Sequence, residues 1–213
     1  MANLMASTEQ ATAEAKGFVS ESLVNPLMAD TYQHDDYVFC LREVGKTGKE
    51  STDVTYLTNS EAFSIMTPIS RGGSGLALMP LFSSVTAISD PKKVTTDATT
   101  DATTVVTQLN DIGLPLGITV WLDINAVNTN IEKQEDQSTY TTTWCTNITK
   151  AGYSVGYYYG NTPPCSCQPE APISGGNVLQ SVSCVSGGSS PLHSISIGEN
   201  SGVCKIRWAY YSS

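Results

Sequence analysis

Charge is what this sequence has least of. Acidic and basic residues make up 15% of its 213 positions, well below the usual quarter. Only 11 are Lys or Arg, against 20 Asp or Glu, for a net charge of −9. With so few cations there is no basic stripe to neutralise phosphates, which argues against nucleic acid as a partner, and nothing to draw the chain to an anionic membrane surface. Long hydrophobic runs are missing too. None reaches the ~18 residues of a membrane span, so no membrane insertion is expected. The opening "MANLMASTEQATAEAKGF" has neither a basic stretch nor a continuous apolar one and does not read as a secretory signal peptide. Histidine is limited to two, His34 and His193, at no metal-ligand spacing. No Ser–His–Asp set or strand–turn–helix phosphate loop is evident. The sequence therefore calls for no cofactor and no metal.

What fills the space is Ser, Thr, Tyr and Gly around a 40% hydrophobic fraction. That is enough for one domain, or one with a small appendage. Low charge with this polar content suits an extracellular or particle-associated protein. Of the six cysteines, Cys165, Cys167, Cys184 and Cys204 crowd the Gly-, Ser- and Pro-rich last fifty residues. Disulfides would stabilise so loop-rich a segment. Free thiols and a zinc site stay open as alternatives, though Cys-x-Cys is not the usual zinc-finger spacing. Cys40 and Cys145 fall on a strand and a helix and are expected as buried thiols.

Along the chain, "STEQATAEA" suits a short helix or an arm, and "KGFVSES" a short strand. "LVNPLMADTY" suits a helix with Pro26 near its start, and "DYVFCLREV" a strand. Thr58 followed by Glu61 forms a capping box, opening a helix whose Ala62, Ile65, Met66 and Ile69 share a face. "LALMPLFSSV" is the third strand. The apparent low complexity of "TTDATTDATT" hides a phase: Ala98, Ala102, Val105, Leu109 and Ile112 make one apolar stripe with Thr and Asp opposite, and Gly113 closes the helix. "GITVWLDINAV" is the fourth strand. Residues 128 to 151 are helical, with Tyr140, Trp144, Ile148 and Ala151 on one face, and "YSVGYYYG" is the fifth strand. Strand–helix alternation with short loops predicts a parallel sheet covered by helices. After residue 161 the rhythm fails, and "NVLQSVSCV", "HSISIG" and "VCKIRWAYYSS" read as short strands. The expected layout is an N-terminal arm (1–15), (β/α) units (16–161) and an irregular β-rich completion or appendage (162–213).

Five stretches in this order resemble the glycoside-hydrolase-like domain, a lysozyme-type TIM barrel related to glycoside hydrolase family 25. "KGFVSES" resembles the family's "GFD" strand. "YVFCLREVG" resembles its Arg-bearing second strand, and "YLTNSEAFSIM" the start of the helix that follows. "DATTDATTVVTQLNDIGLPLGITVWLDINA" resembles its most specific block, and "AGYSVGYYYGN" its "GY-VGVYG" strand. The resemblance implies an α/β, TIM-like (β/α) barrel, irregular or incomplete, with a β-rich Cys-containing C-terminal part. It also implies a site at the C-terminal ends of the strands for a cell-wall-type polysaccharide. Two of the family's acids fall at Val19 and Asn125; Asp123 and Arg42 are kept.

Glycoside hydrolysis normally needs two carboxyls, ~5 Å apart for retention or ~6.5–9.5 Å for inversion. Glu21, on the face of Val19 and about 7 Å further along the strand, offers a displaced partner for Asp123. Glu43 is expected to face away, on the premise that Arg42 points into the barrel. Asp123 could instead be a structural acid tied to Arg42. Around these, Arg42, Asn125, Trp121 and Tyr158 are the candidate glycan-binding residues, with core packing as the competing role for Trp121 and the tyrosines. Three functions follow from the sequence: a degenerate, glycan-binding or structural component of an extracellular or particle assembly, with self-association or assembly partners; an active hydrolase using Asp123 and Glu21; or a secreted effector using the barrel as scaffold.

Overall fold

A computed structural model describes residues 6–12, 15–20, 22–45, 56–159, 177–178, 193–196 and 206–211. Glu21 and the cysteines at 165, 167, 184 and 204 lie outside them. Strands β2 (Lys16–Ser20), β3 (Tyr37–Glu43), β4 (Ala77–Phe82), β5 (Thr119–Asp123) and β6 (Ser154–Tyr158) pair in parallel in sequence order. At one edge β7 (Asn177–Val178) adds in parallel to β6; at the other β8 (His193–Ser196) runs antiparallel to β2. This is the order of a (β/α) barrel, but the sheet is a curled half-barrel rather than a full TIM barrel. The reason is visible in the sequence. Beyond β6 no helix-length apolar periodicity is left to build the further parallel units that closure requires.

The segment expected as a short helix or arm is in part a strand. β1 (Ala6–Gln10) pairs antiparallel with β9 (Arg207–Tyr211). β9 also bonds β4 at Leu78↔Ala209, below the point where β5 joins at Leu81↔Trp121. The Arg207 amide donates to Thr119 Oγ1 at 2.9 Å. The two terminal strands are thus wedged between the N-terminal ends of β4 and β5. Trp208 fills the base of the half-barrel against Phe39, with ring centroids 5.8 Å apart.

The helices are α1 (Ala29–His34), α2 (Asn59–Met66), α3 (Val94–Ile112), α4 (Ile124–Asn130) and α5 (Gln134–Lys150). The stripe expected on α3 is buried, and Gly113 ends the helix in the left-handed region at φ 86°. Its seven threonines disfavour helix by at most ~0.7 kcal/mol each. Burying Val94, Val105, Leu109 and Ile112 contributes about 1.5–3 kcal/mol apiece, so packing wins. Five threonine hydroxyls donate back one turn, as Thr99 does to the Thr95 carbonyl at 2.8 Å. Asp101 departs from the expected polar face. Fully buried, it accepts from the Thr86 amide and hydroxyl, both at 3.1 Å, and from Tyr140 Oη at 2.7 Å, tying α3 to α5 and to the loop after β4.

Strand alternation sorts the core into two layers. Phe18, Cys40, Leu78, Phe82, Val120 and Leu122 face the helices. Val19, Phe39, Leu41, Met79, Leu81 and Trp121 face the interior of the half-barrel. Cys40 and Cys145 are free and buried. Burial pushes both thiols up, Cys145 to about 11, so neither is a reactive thiolate. No helix among the described residues is long and apolar enough to cross a membrane.

Candidate functional site

The alternation that builds the core also decides which polar side chains reach the C-terminal rim. Arg42 shares the parity of Cys40, so it faces the helix layer. There it is fully buried. Its Nε and Nη2 donate to Glu61 Oε1 and Oε2 at 2.7 and 3.0 Å, and its Nη1 to the Ser20 carbonyl at 2.7 Å. The inward orientation expected of Arg42 is therefore reversed, and Glu61 of α2 is the carboxylate that holds it. The capping box is only half made for the same reason. Thr58 Oγ1 accepts from the Glu61 amide at 3.2 Å, while the Glu61 carboxylate turns to Arg42 and accepts from the Val24 amide at 3.0 Å.

With Arg42 turned outward, its neighbour Glu43 turns inward. It shares the face of Leu41 and Phe39 and sits in register with Leu81, Trp121 and Gly156. It is 4% exposed. Its Oε1 accepts from Ser83 Oγ at 2.6 Å, the Ser83 amide at 3.1 Å and Ser84 Oγ at 3.3 Å. Burial pushes its carboxyl up to about 7; the serine hydrogen bonds pull the other way, and the nearby charge of Asp123 adds to the rise.

Asp123 ends β5 and is half-buried. Its Oδ1 accepts from the amides of Asn125 at 2.8 Å and Ala126 at 3.3 Å, capping α4. That cap turns the chain from strand to helix, so Asn125, expected two residues on along the strand face, lies instead in the first turn of α4. Its Nδ2 donates to the Tyr159 carbonyl at 2.6 Å, tying α4 to the end of β6. Tyr158 is the register partner of Asp123 on β6 and is half-buried against the interior layer. Trp121 lies one step below, fully buried, its Nε1 donating to Met79 Sδ at 3.2 Å. It forms the floor rather than an open sugar platform. Val19 is also interior and apolar.

The floor depends on a missing Cβ. One added at Gly156 would lie 2.3 Å from Trp121 Cε3 and Cζ3. Gly156→Ala is expected to destabilise the fold by about 1–3 kcal/mol through overpacking, read as a lowered urea midpoint; an unchanged midpoint would show that the indole can move.

A family model for the Rv2525c-like, glycoside hydrolase-like domain matches residues 31–208. The chain belongs to this family. No curated protein matches the sequence. Among solved structures, a crystal structure of an uncharacterised B. stearothermophilus protein is similar at 13% identity, with 93% of this chain and 96% of that one covered and a TM-score of 0.52. At that identity it speaks for the shared fold alone. The Mycobacterium tuberculosis Tat-secreted protein Rv2525c, solved in complex with HEPES, is 14% identical over 67% of this chain and 68% of its own, with a TM-score of 0.47. Its complex with L-tartrate gives 14%, 68%, 68% and 0.46.

Glu43 is the rim residue that sequence reasoning set aside. Apart from the exposed Val38, both β3 faces are buried and largely apolar, so alternation in the sequence could not say which face was inner. The usable signal was Glu61. An acid in the first turn of the next helix can claim the preceding strand's Arg and thereby fix the parity of both neighbours.

Proposed function

We propose that this glycoside hydrolase-like domain binds a cell-wall-type polysaccharide strand across the C-terminal rim of its half-barrel. The observation that carries the reading is Tyr158 and Asp123 side by side in register, both half-buried, above the Trp121 floor. A carboxylate accepts hydrogen bonds from sugar hydroxyls, and a phenol ring beside it offers an apolar face with a polar tip. Rim residues at strand ends are where such folds place their ligands. Val19 and Asn125 stand where the family's other acids fall, which argues against its usual chemistry at these positions. An extracellular or particle-associated location goes with this reading and is supported by the low charge and the Ser- and Thr-rich composition.

The test is co-sedimentation of the purified chain with insoluble peptidoglycan and chitin, followed by calorimetry with their soluble oligosaccharides. Tyr158→Ala is expected to weaken binding about tenfold, the loss of one aromatic contact worth ~1.4 kcal/mol. Absence of binding to all of these glycans would dismiss the proposal.

A further inference from the structure

The turn after β2 carries the most exposed leucine among the described residues. Leu27 is 91% exposed, and Leu23 and Met28, within the same six residues, are 61% and 44% exposed. A single exposed leucine needs no explanation, but three large apolar side chains in one turn mark a contact surface. From Ser22 to Ala29 no residue is charged. The backbone of the turn is also hydrogen-bonded within the protein. The Leu27 amide donates to Asn25 Oδ1 and the Met28 amide to the Asn25 carbonyl, both at 3.0 Å. The Ala29 amide donates to the Pro26 carbonyl, and Pro26 has no N–H to satisfy. From Pro26 to Ala29, then, every amide is satisfied or absent, while the Leu27 and Met28 side chains stand in water. A backbone whose donors are matched internally loses little on leaving water. The turn sits on a firm base. The Val24 amide donates to the buried Glu61 Oε1 at 3.0 Å, and Ser20 Oγ donates to the Ser22 carbonyl at 2.8 Å.

We propose that this turn is a shallow lipid-docking wedge, in which Leu27, with Leu23 and Met28, enters the interfacial layer of an electrically neutral bilayer while the rest of the fold stays in water. The occupant follows from charge and size. A net charge of −9 repels anionic lipid and equally a second copy of this chain. Three side chains also fall far short of the roughly 20–30 residues that each side of a stable protein interface supplies. A lipid surface asks for neither complementary charge nor a matching contour, only apolar area. The wedge needs neither the basic patch nor the long apolar run that the sequence lacks. Docking is weak and reversible, because so small an apolar area anchors no more firmly than a single acyl chain. Leu23 lies three residues beyond Ser20, the last residue of β2. The wedge is therefore at the same end of the parallel sheet as Asp123 and Tyr158, and docking turns that rim toward the lipid. Docking requires no glycan, so it holds or fails independently of binding at the rim.

The experiment is co-sedimentation of the purified chain with phosphatidylcholine vesicles, comparing wild type with Leu27→Ser and Leu23→Ser/Leu27→Ser. Both leucines are exposed, so the variants should fold with the wild-type urea midpoint. Wild type is expected to sediment with the vesicles. Leu27→Ser should bind at least about tenfold less, the loss of one leucine's apolar burial, and the double variant less still. Binding should survive about 1 M salt, where the screening length is about 3 Å, and should weaken at low salt when anionic phosphatidylglycerol is added. A Leu27→Trp chain should show blue-shifted fluorescence on the vesicles, as the indole enters apolar surroundings. No vesicle binding by wild type, undiminished binding in Leu27→Ser or binding lost in high salt would each overturn the proposal. So would a dimer, or a complex with another protein, that Leu27→Ser disrupts while vesicles stay unbound.

Discussion

Glu61→Ala is expected to destabilise the domain by about 3–5 kcal/mol, the range for stripping one partner from a buried ion pair. Arg42 is fully buried and uses both prongs of its guanidinium on Glu61. Unlike a lysine, it cannot shed its charge to escape. The same substitution also leaves the Val24 amide without its acceptor, since Glu61 Oε1 takes that hydrogen bond at 3.0 Å. The replacement would therefore take the carboxylate from a buried guanidinium and the acceptor from a backbone donor in one stroke. Urea denaturation at neutral pH measures the loss. The double variant Arg42→Met/Glu61→Leu should recover most of it, because a well-packed apolar pair can equal a buried ionic one. A single-variant loss below about 1 kcal/mol would mean that water reaches the guanidinium and that this pair does not anchor α2 to the sheet.

The second large effect is a dependence of stability on pH that disappears in Glu43→Gln. The Glu43 carboxyl titrates at about 7 in the fold against an ordinary value of 4.5, so the folded state holds a proton that the unfolded chain has released. Between those two pH values the native protein binds more protons than the unfolded one, and stability falls as pH rises. Below pH 4.5 both states are protonated and the penalty vanishes; above pH 7 it is complete, at roughly 3 kcal/mol. Glu43→Gln keeps an acceptor for Ser83 without the ionisation. The gap between variant and wild type should therefore shift in favour of the variant by that amount from pH 4.5 to pH 8. Unfolding free energies at those two pH values decide it, and parallel profiles would show that solvent relieves the burial of this carboxyl. The measurement needs no substrate, so it bears on Glu43 whether or not a glycan is found.

Much of the architecture was legible because it rests on local periodicity. The stripe on α3, the Gly113 stop, the Thr58 cap and the order of strands through β6 follow from spacing within a few turns of chain. The Cys40 and Cys145 thiols are buried as their elements predicted. Even the short strands β7, β8 and β9 fall within stretches that read as β. The misreadings share a different character. The pairing of β1 with β9 joins segments some two hundred residues apart, and no local pattern encodes such a partner. The end of β5 depended on whether Asp123 would accept from the amides behind it or leave the strand to run on.

What the sequence determined by itself was the family, its strand–helix order and the shortage of cations. Which carboxyls face one another at the rim was decided only in three dimensions. A strand buried on both sides has no polar side to mark its orientation, so the direction of every residue on β3 hung on one distant contact. Once Glu61 takes Arg42 into the helix layer, the two-residue period of the strand leaves Glu43 nowhere to go but inward, beside Asp123.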